Sequence, residues 1–402
     1  MTPPFRRRVL YVPGFDPIPP RRYRELFRSE AARQAAISGY GIATEGRPGQ
    51  PGFGWHATGH FPEGEAQADF EVLVWDDLVQ ASMRGGIGAT YLQLLGTAWA
   101  YIGSGALLRL MGLRRGPVIA ALYPIVVLLA QALAGQLLGG LAGVTAARLA
   151  GGGIAGAGLG LALGTAVLVA VLWLFRRLDH RIFAYYLMHD YAFTARHRGA
   201  YPDALEARLA VFAARLRQAL AEDVDEVLVV GHSSGAYLAV SLLADVIRAG
   251  GLPADRPALA LMTLGHVVPM ASFLPDAGRL RADLAFLSEC AGLFWLDVSA
   301  PGDACCFGLC DPVAVSGMAG PGQQWPLVLS AAFTRTLSPE ARRRLRGRWF
   351  RLHFQYLCAF DRPGDYDYFS ITAGPRRLAD RFAGRGHSPG RIARPVGRRR
   401  AA

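Results

Sequence analysis

Val227–Gly235 reads VLVVGHSSG, an apolar β-type run followed by a G-x-S-x-G turn centred on Ser233. The next segment, AYLAVSLLADVIRAG, has helical character, so strand, tight turn and helix succeed one another. That context, more than the pentapeptide, is what a nucleophile elbow needs. The turn lifts the serine hydroxyl clear of the sheet edge, where the first N–H groups of the helix also point.

Outward from this turn the same alternation repeats. Short β-type runs fall at Arg8–Pro13, Phe70–Trp75, Ala258–Leu264, Leu293–Val298 and Trp325–Phe333. Between them lie helical patterns at Arg21–Tyr40, Pro202–Glu222, Leu280–Ser288 and Ser338–Ala359. The segment from Gly41 to Gly54, rich in Gly and Pro, reads as a surface loop. Alternating strands and helices predict an α/β fold, a mostly parallel sheet with helices on both faces.

The chain has 402 residues, 52% of them hydrophobic and only 18% charged, which excludes a disordered chain. All 43 basic residues are Arg. No zinc-finger spacing, helix-turn-helix pattern or aromatic-basic interleaving accompanies the +12 charge, so nucleic acid is not an expected partner. Anionic lipid fits the basic patches better. The five cysteines form no disulfide framework, and Cys305, Cys306 and Cys310 read as a small-residue loop in a reducing compartment, with no metal site expected.

Two long apolar stretches interrupt the alternation. Residues 117–139 and 152–175 carry no formal charge, and each is long enough to cross a hydrocarbon core of about 30 Å. They read as an inserted transmembrane helical hairpin, the small residues of 152–164 allowing close packing. Arg109, Arg114 and Arg115 precede the first span and Arg176, Arg177 and Arg181 follow the second, whereas the turn holds only Arg148. Positive-inside bias then puts both flanks in the cytoplasm, giving a multi-pass inner-membrane protein with a cytoplasmic catalytic domain. The apolar run 88–110 reads as interfacial or embedded. The expected division is residues 1–90 and 200–375 as two parts of one α/β domain, 91–199 as the membrane insertion, and 376–402 as a basic, flexible tail.

A serine hydroxyl needs an imidazole base and an acid to orient that base. Ser233 is the candidate nucleophile. The backbone N–H groups of Ser234, which follows it, and of Phe15, in the loop after the first strand, are the candidate oxyanion donors. Asp303, in the SAPGD loop just beyond LFWLDV, is the candidate acid, with Asp311 the alternative. His353, flanked by aromatics in WFRLHFQYL, is the candidate base, because His387 lies in the Gly- and Pro-rich tail.

With the GHSSG elbow, the YVPGF loop, a late acid and His353, the chain resembles the α/β-hydrolase superfamily over residues 8–80 and 200–375. Through YVPGFDP, LHFQYL and DYDYFSITAGP it is similar to a group of uncharacterised bacterial membrane-associated hydrolases that use serine. The resemblance implies a membrane-anchored serine esterase or lipase-like enzyme acting on an apolar acyl ester or thioester through an acyl-enzyme. It implies no metal and no organic cofactor. An acyltransferase with the same site and a non-catalytic membrane scaffold are the other expectations.

Overall fold

A computed structural model describes residues 3–47, 49, 52–250, 252 and 257–396. Its centre is an eight-stranded sheet in the order β2-β3-β4-β1-β5-β6-β7-β8. The strands are β1 (Phe5–Val12), β2 (Gly41–Gly46), β3 (Phe53–Phe61), β4 (Gly64–Val72), β5 (Glu226–His232), β6 (Ala258–Leu264), β7 (Leu293–Ser299) and β8 (Leu327–Ser330). From β4 through β8 every pairing is parallel, whereas β2-β3 and β3-β4 are antiparallel. The sheet is therefore mixed but mostly parallel, with helices on both faces.

Period-two alternation within the central strands builds the two cores. Leu10 and Val12 of β1, with Val227 and Val229 of β5, pack against the helices Asp203–Leu220 and Gly235–Arg248. Val9 and Tyr11, with Leu228 and Val230, face the other way into a cluster with Phe27 of the helix Arg21–Ser38 and the late aromatics Tyr356 and Phe369. Strands covered on both sides read as continuous apolar runs, which is why LVVGH-type segments are legible in the sequence.

Three expectations change. The Gly- and Pro-rich 41–54 segment contains β2 and the start of β3, a half-exposed antiparallel pair whose polar residues hid it; residues 48, 50 and 51 lie outside the described residues. The Ser338–Ala359 segment is not one helix but Pro339–Leu345, Trp349–His353 and a 3₁₀ turn at Phe354–Leu357, interrupted at Gly347, whose φ is +74°. The Arg-rich end is docked as far as residue 396: Ser388 N–H donates to Val328 O, Ile392 bridges Cys310, and Arg391 pairs with Asp311.

Arg6, Arg7 and Arg8, the most concentrated early basic run, are likewise absorbed into the fold. Arg6 pairs with Asp223, buried Arg7 with Glu226 at 2.6 Å, and Arg8 with Asp69 and Glu71.

The inserted segment is helical. Helices Arg115–Leu149 and Gly153–Arg177 are long and apolar enough to cross a membrane, by length and composition. They are joined by a tight turn at 150–152. Facing glycines set their separation: a Cβ on Gly139 would lie 2.5 Å from Gly164 O, and one on Gly143 would lie 2.6 Å from Gly160 O. Between these helices and residue 200 lies a further helix, Ala184–Arg196.

Candidate active site

Because β1, β5 and β7 run parallel, the loops after them open at the same edge of the sheet, where open α/β sheets form ligand crevices. The loop after β5 carries Ser233, whose φ is +58°. A left-handed backbone at a non-glycine residue costs on the order of 1–3 kcal/mol and persists only where the surroundings enforce it. Here the flanking glycines do so. A Cβ on Gly235 would lie 2.2 Å from Val12 O, and one on Gly231 would lie 2.7 Å from Ala236 Cα. From β1, Gly14 comes so close that its Cβ would sit 3.0 Å from Ser233 Cβ.

The neighbouring donors are differently engaged. Phe15 N–H donates to Ser234 Oγ at 2.8 Å, so this expected oxyanion donor is committed to the elbow. Ser234 caps the helix Gly235–Arg248, and its N–H stands with the first-turn donors that have no intrahelical acceptor.

The loop after β7 places Asp303 against His353. The His353 Nδ1–H donates to Asp303 Oδ2 at 2.7 Å, while Tyr356 Oη–H at 3.1 Å and Cys305 N–H at 2.9 Å also donate to that carboxylate. Burial alone would push the Asp303 carboxyl up, but the His353 charge and the hydrogen bonds from His353, the Cys305 N–H and the Cys306 side chain outweigh it and hold it below its ordinary value. His353 Nε2 is buried and has no hydrogen-bond partner among the described residues.

Asp311 stands elsewhere. It caps the short helix Pro312–Val315 by accepting from Val313 and Ala314 N–H, and pairs with Arg391. His387 accepts from Val328 N–H at the edge of β8. His232 does not address the pocket as a base: its Nε2–H donates to His353 O at 3.0 Å, and burial, then the His353 charge, pushes its pKa down to about 3. Its ring lies 4.8 Å from that of His353 and fixes the base from behind.

Cys305 completes the group. Asp303, Cys305 and His353 each offer a ligand-type atom, and all these atoms lie within 4.8 Å of one another. Sulfur, imidazole and carboxylate are a donor set that zinc accepts. With Nδ1 hydrogen-bonded to the carboxylate, however, the same three side chains stand as acid, base and thiol. Burial, then the charges of Asp303 and Asp190, pushes the Cys305 thiol above its ordinary value, so the resting thiol is protonated.

These groups open into a cavity of about 430 Å³ lined by Gly14, Phe15, Ser233, Cys305 and His353, and by the inserted helices. One stripe of Ala184–Arg196, with Tyr186, Leu187, Asp190, Tyr191 and Thr194, forms a wall, and Pro117 and Ala120 of the first long helix form another. Asp190 is the carboxyl of that stripe, and burial pushes its pKa up to about 7. Neither Cys305 nor Asp190 stood out in the sequence. The first sits two residues after the acid in a loop that looked structural. The second is a lone acid at helical spacing within a segment that did not read as a helix.

Compared with protein-family models, with curated proteins and with solved structures, the chain matches none. Kinship with the α/β-hydrolase superfamily and its membrane-associated serine hydrolases is therefore not upheld, and the sheet resembles that topology only loosely. The serine esterase or lipase-like assignment is corrected as well. No hydrogen bond joins Ser233 to the free nitrogen of His353, and the nucleophilic side chain grouped with the Asp303–His353 pair is the thiol of Cys305.

Proposed function

We propose that the chain is a membrane-anchored enzyme of nucleophilic acyl chemistry, with Cys305 as nucleophile, His353 as base and Asp303 as the acid that orients the base. The observation that carries this reading is the grouping of a thiol sulfur, an imidazole nitrogen and a carboxylate oxygen from these three side chains within 4.8 Å, together with the 2.7 Å Asp303–His353 hydrogen bond. A thiol kept protonated by its surroundings attacks only as its proton leaves. His353 takes that proton while sulfur bonds to the substrate carbonyl carbon, and Asp303 stabilises the imidazolium. The developing oxyanion meets the Ser234 N–H at the helix N-terminus, with Ser233 and Phe15 as the adjoining wall. The imidazolium then returns its proton to the leaving group as the carbonyl–leaving-group bond breaks. A thioester acyl-enzyme remains, which water or an alcohol resolves.

An apolar acyl ester or thioester is the substrate class that suits this largely apolar and aromatic cavity. The membrane reading rests on exposure. Leu161 is 74% and Ile154 95% exposed on the second long helix, and Leu137 and Leu141 are exposed on the first. Apolar surface this continuous needs a cover, which a bilayer supplies. The Arg flanks then orient the hairpin with residues 1–90 and 200–375 in the cytoplasm, below an inner-membrane insertion of residues 91–199.

The test is acyl-enzyme trapping with a chromogenic short-chain acyl ester, followed by mass mapping of the acylated peptide. Acylation of the Cys305 peptide, released by neutral hydroxylamine as a thioester is, is the expected result, and Cys305→Ala abolishes it. Hydroxylamine-resistant acylation at Ser233, unaffected by Cys305→Ala, would overturn the cysteine assignment.

A further inference from the structure

A second cavity of about 140 Å³ lies behind the wall of the first. It is lined by five elements: Ile87–Gly103, Ala106–Leu113, the start of Arg115–Leu149, Ala184–Arg196, and the short helix Val268–Ser272. Its lining is Ile102, Leu107, Leu110, Ala121, Ile125 and Met188, with Thr97, Tyr101 and Tyr191 among the residues that carry a hydroxyl. The Tyr101 hydroxyl is one of these, donating to Met270 O at 2.9 Å. Apolar cavities of roughly this size, about 150 Å³, stay dry and take up apolar guests.

Tyr101, Tyr191 and Met270 line both this cavity and the one that holds Cys305 and His353. The two spaces are thus separated by one layer of side chains. That layer is tied together by the Tyr101–Met270 hydrogen bond. A substrate whose reacting carbonyl sits at Cys305 and whose tail runs past Tyr191 would bury that tail in the second space. The helices that enclose it carry apolar residues on their outer sides, Leu95 and Trp99 among them, so the chamber lies beside the surface proposed to meet the bilayer.

We propose that the second cavity is the acyl-tail chamber of the site, selecting a substrate with an extended hydrocarbon chain, with Tyr101 and Met270 as its gate. This rests on the proposed acyl chemistry for what occupies the first cavity, but the chamber can be tested without turnover. The probe is a dodecanoic acid bearing a diazirine at its far end, photolysed with the full-length protein in nanodiscs and mapped by mass spectrometry. Crosslinks are expected on peptides spanning 97–125 and 188–191. Ala121→Phe, which fills the chamber, should lower them at least tenfold, and Ala98→Phe from the opposite wall should do the same if Ala121→Phe does not fold. Cys305→Ala should leave them unchanged.

With ester substrates, Ala121→Phe should cut kcat/KM for an octanoyl chain about tenfold and leave an acetyl chain unaffected. Crosslinks confined to the outer faces of the hairpin, or unchanged in both filled variants, would overturn the chamber whatever the turnover. Chamber labelling in a protein that forms no acyl-enzyme would uphold the tail site and sink the acyl chemistry instead.

Discussion

At the scale of single residues, the site is a problem of where protons rest. The Cys305 thiol is held protonated, so its reactivity depends on a base close by, and His353 has one nitrogen tied to Asp303 and the other without a hydrogen-bond partner among the described residues. His353→Ala should lower the acylation rate by about 10²–10⁴-fold, the usual worth of a positioned general base, read as single-turnover release of chromophore. The acid side carries its own signature. Asp303 has a folded-state pKa below its ordinary value of 3.8, so the unfolded chain takes up its proton first as the pH drops. The stabilisation is complete above about pH 4 and is lost as pH falls through the folded-state value, a slope that Asp303→Asn should remove from thermal unfolding midpoints. Asp190 works in the opposite sense. Its folded-state pKa lies near 7, so stability should decline as pH rises from its ordinary value of 3.8 toward 7. Asp190→Asn should flatten that decline in the same measurement.

At the scale of elements, the hairpin depends on glycine. Gly139 and Gly143 face Gly164 and Gly160 so closely that any side chain would strike a backbone carbonyl. Gly140, one residue along, has nothing within 4 Å of a built Cβ. Gly143→Val should therefore force the two helices apart and destabilise the protein in detergent by about 1–3 kcal/mol, the usual cost of overpacking. Gly140→Val should be close to neutral, and equal effects from the two would remove the close-packed interface. The elbow shows the same logic within the sheet: Gly14, Gly231 and Gly235 leave the space in which Ser233 can hold its left-handed turn.

Across the whole molecule, the loop that carries Cys305 and the first long apolar helix share one cavity, since Pro117 and Ala120 line it beside Cys305. A bilayer across the hairpin would hold that cavity near the source of an apolar substrate. Topology can be read directly. Cysteine introduced at Arg148, probed with a membrane-impermeant maleimide on intact cells, should label from outside, whereas cysteine at Ala200 should label only after lysis. Labelling of both positions from the same side would contradict a spanning hairpin.

Strands buried on both faces, such as β5 and β6, were legible because they read as unbroken apolar runs, and so were the two long helices with charge-free centres. The edge pair β2 and β3 escaped because half-exposed strands carry polar residues that local pattern assigns to loops. The carboxylate beside His353 could be narrowed to Asp303 or Asp311 from chain order, yet local sequence held no sign that Asp311 would cap a helix and pair with Arg391. The chemistry was less legible still. A G-x-S-x-G turn announces itself because its glycines are a local steric requirement, so Ser233 dominated the reading. Cys305 meets His353 only because the fold brings the loop after β7 and the short helix Trp349–His353, 48 residues apart in sequence at these two side chains, to the same place. Local patterns record backbone geometry, whereas the grouping of a thiol, an imidazole and a carboxylate depends on contacts between distant segments, and these exist only once the chain has folded.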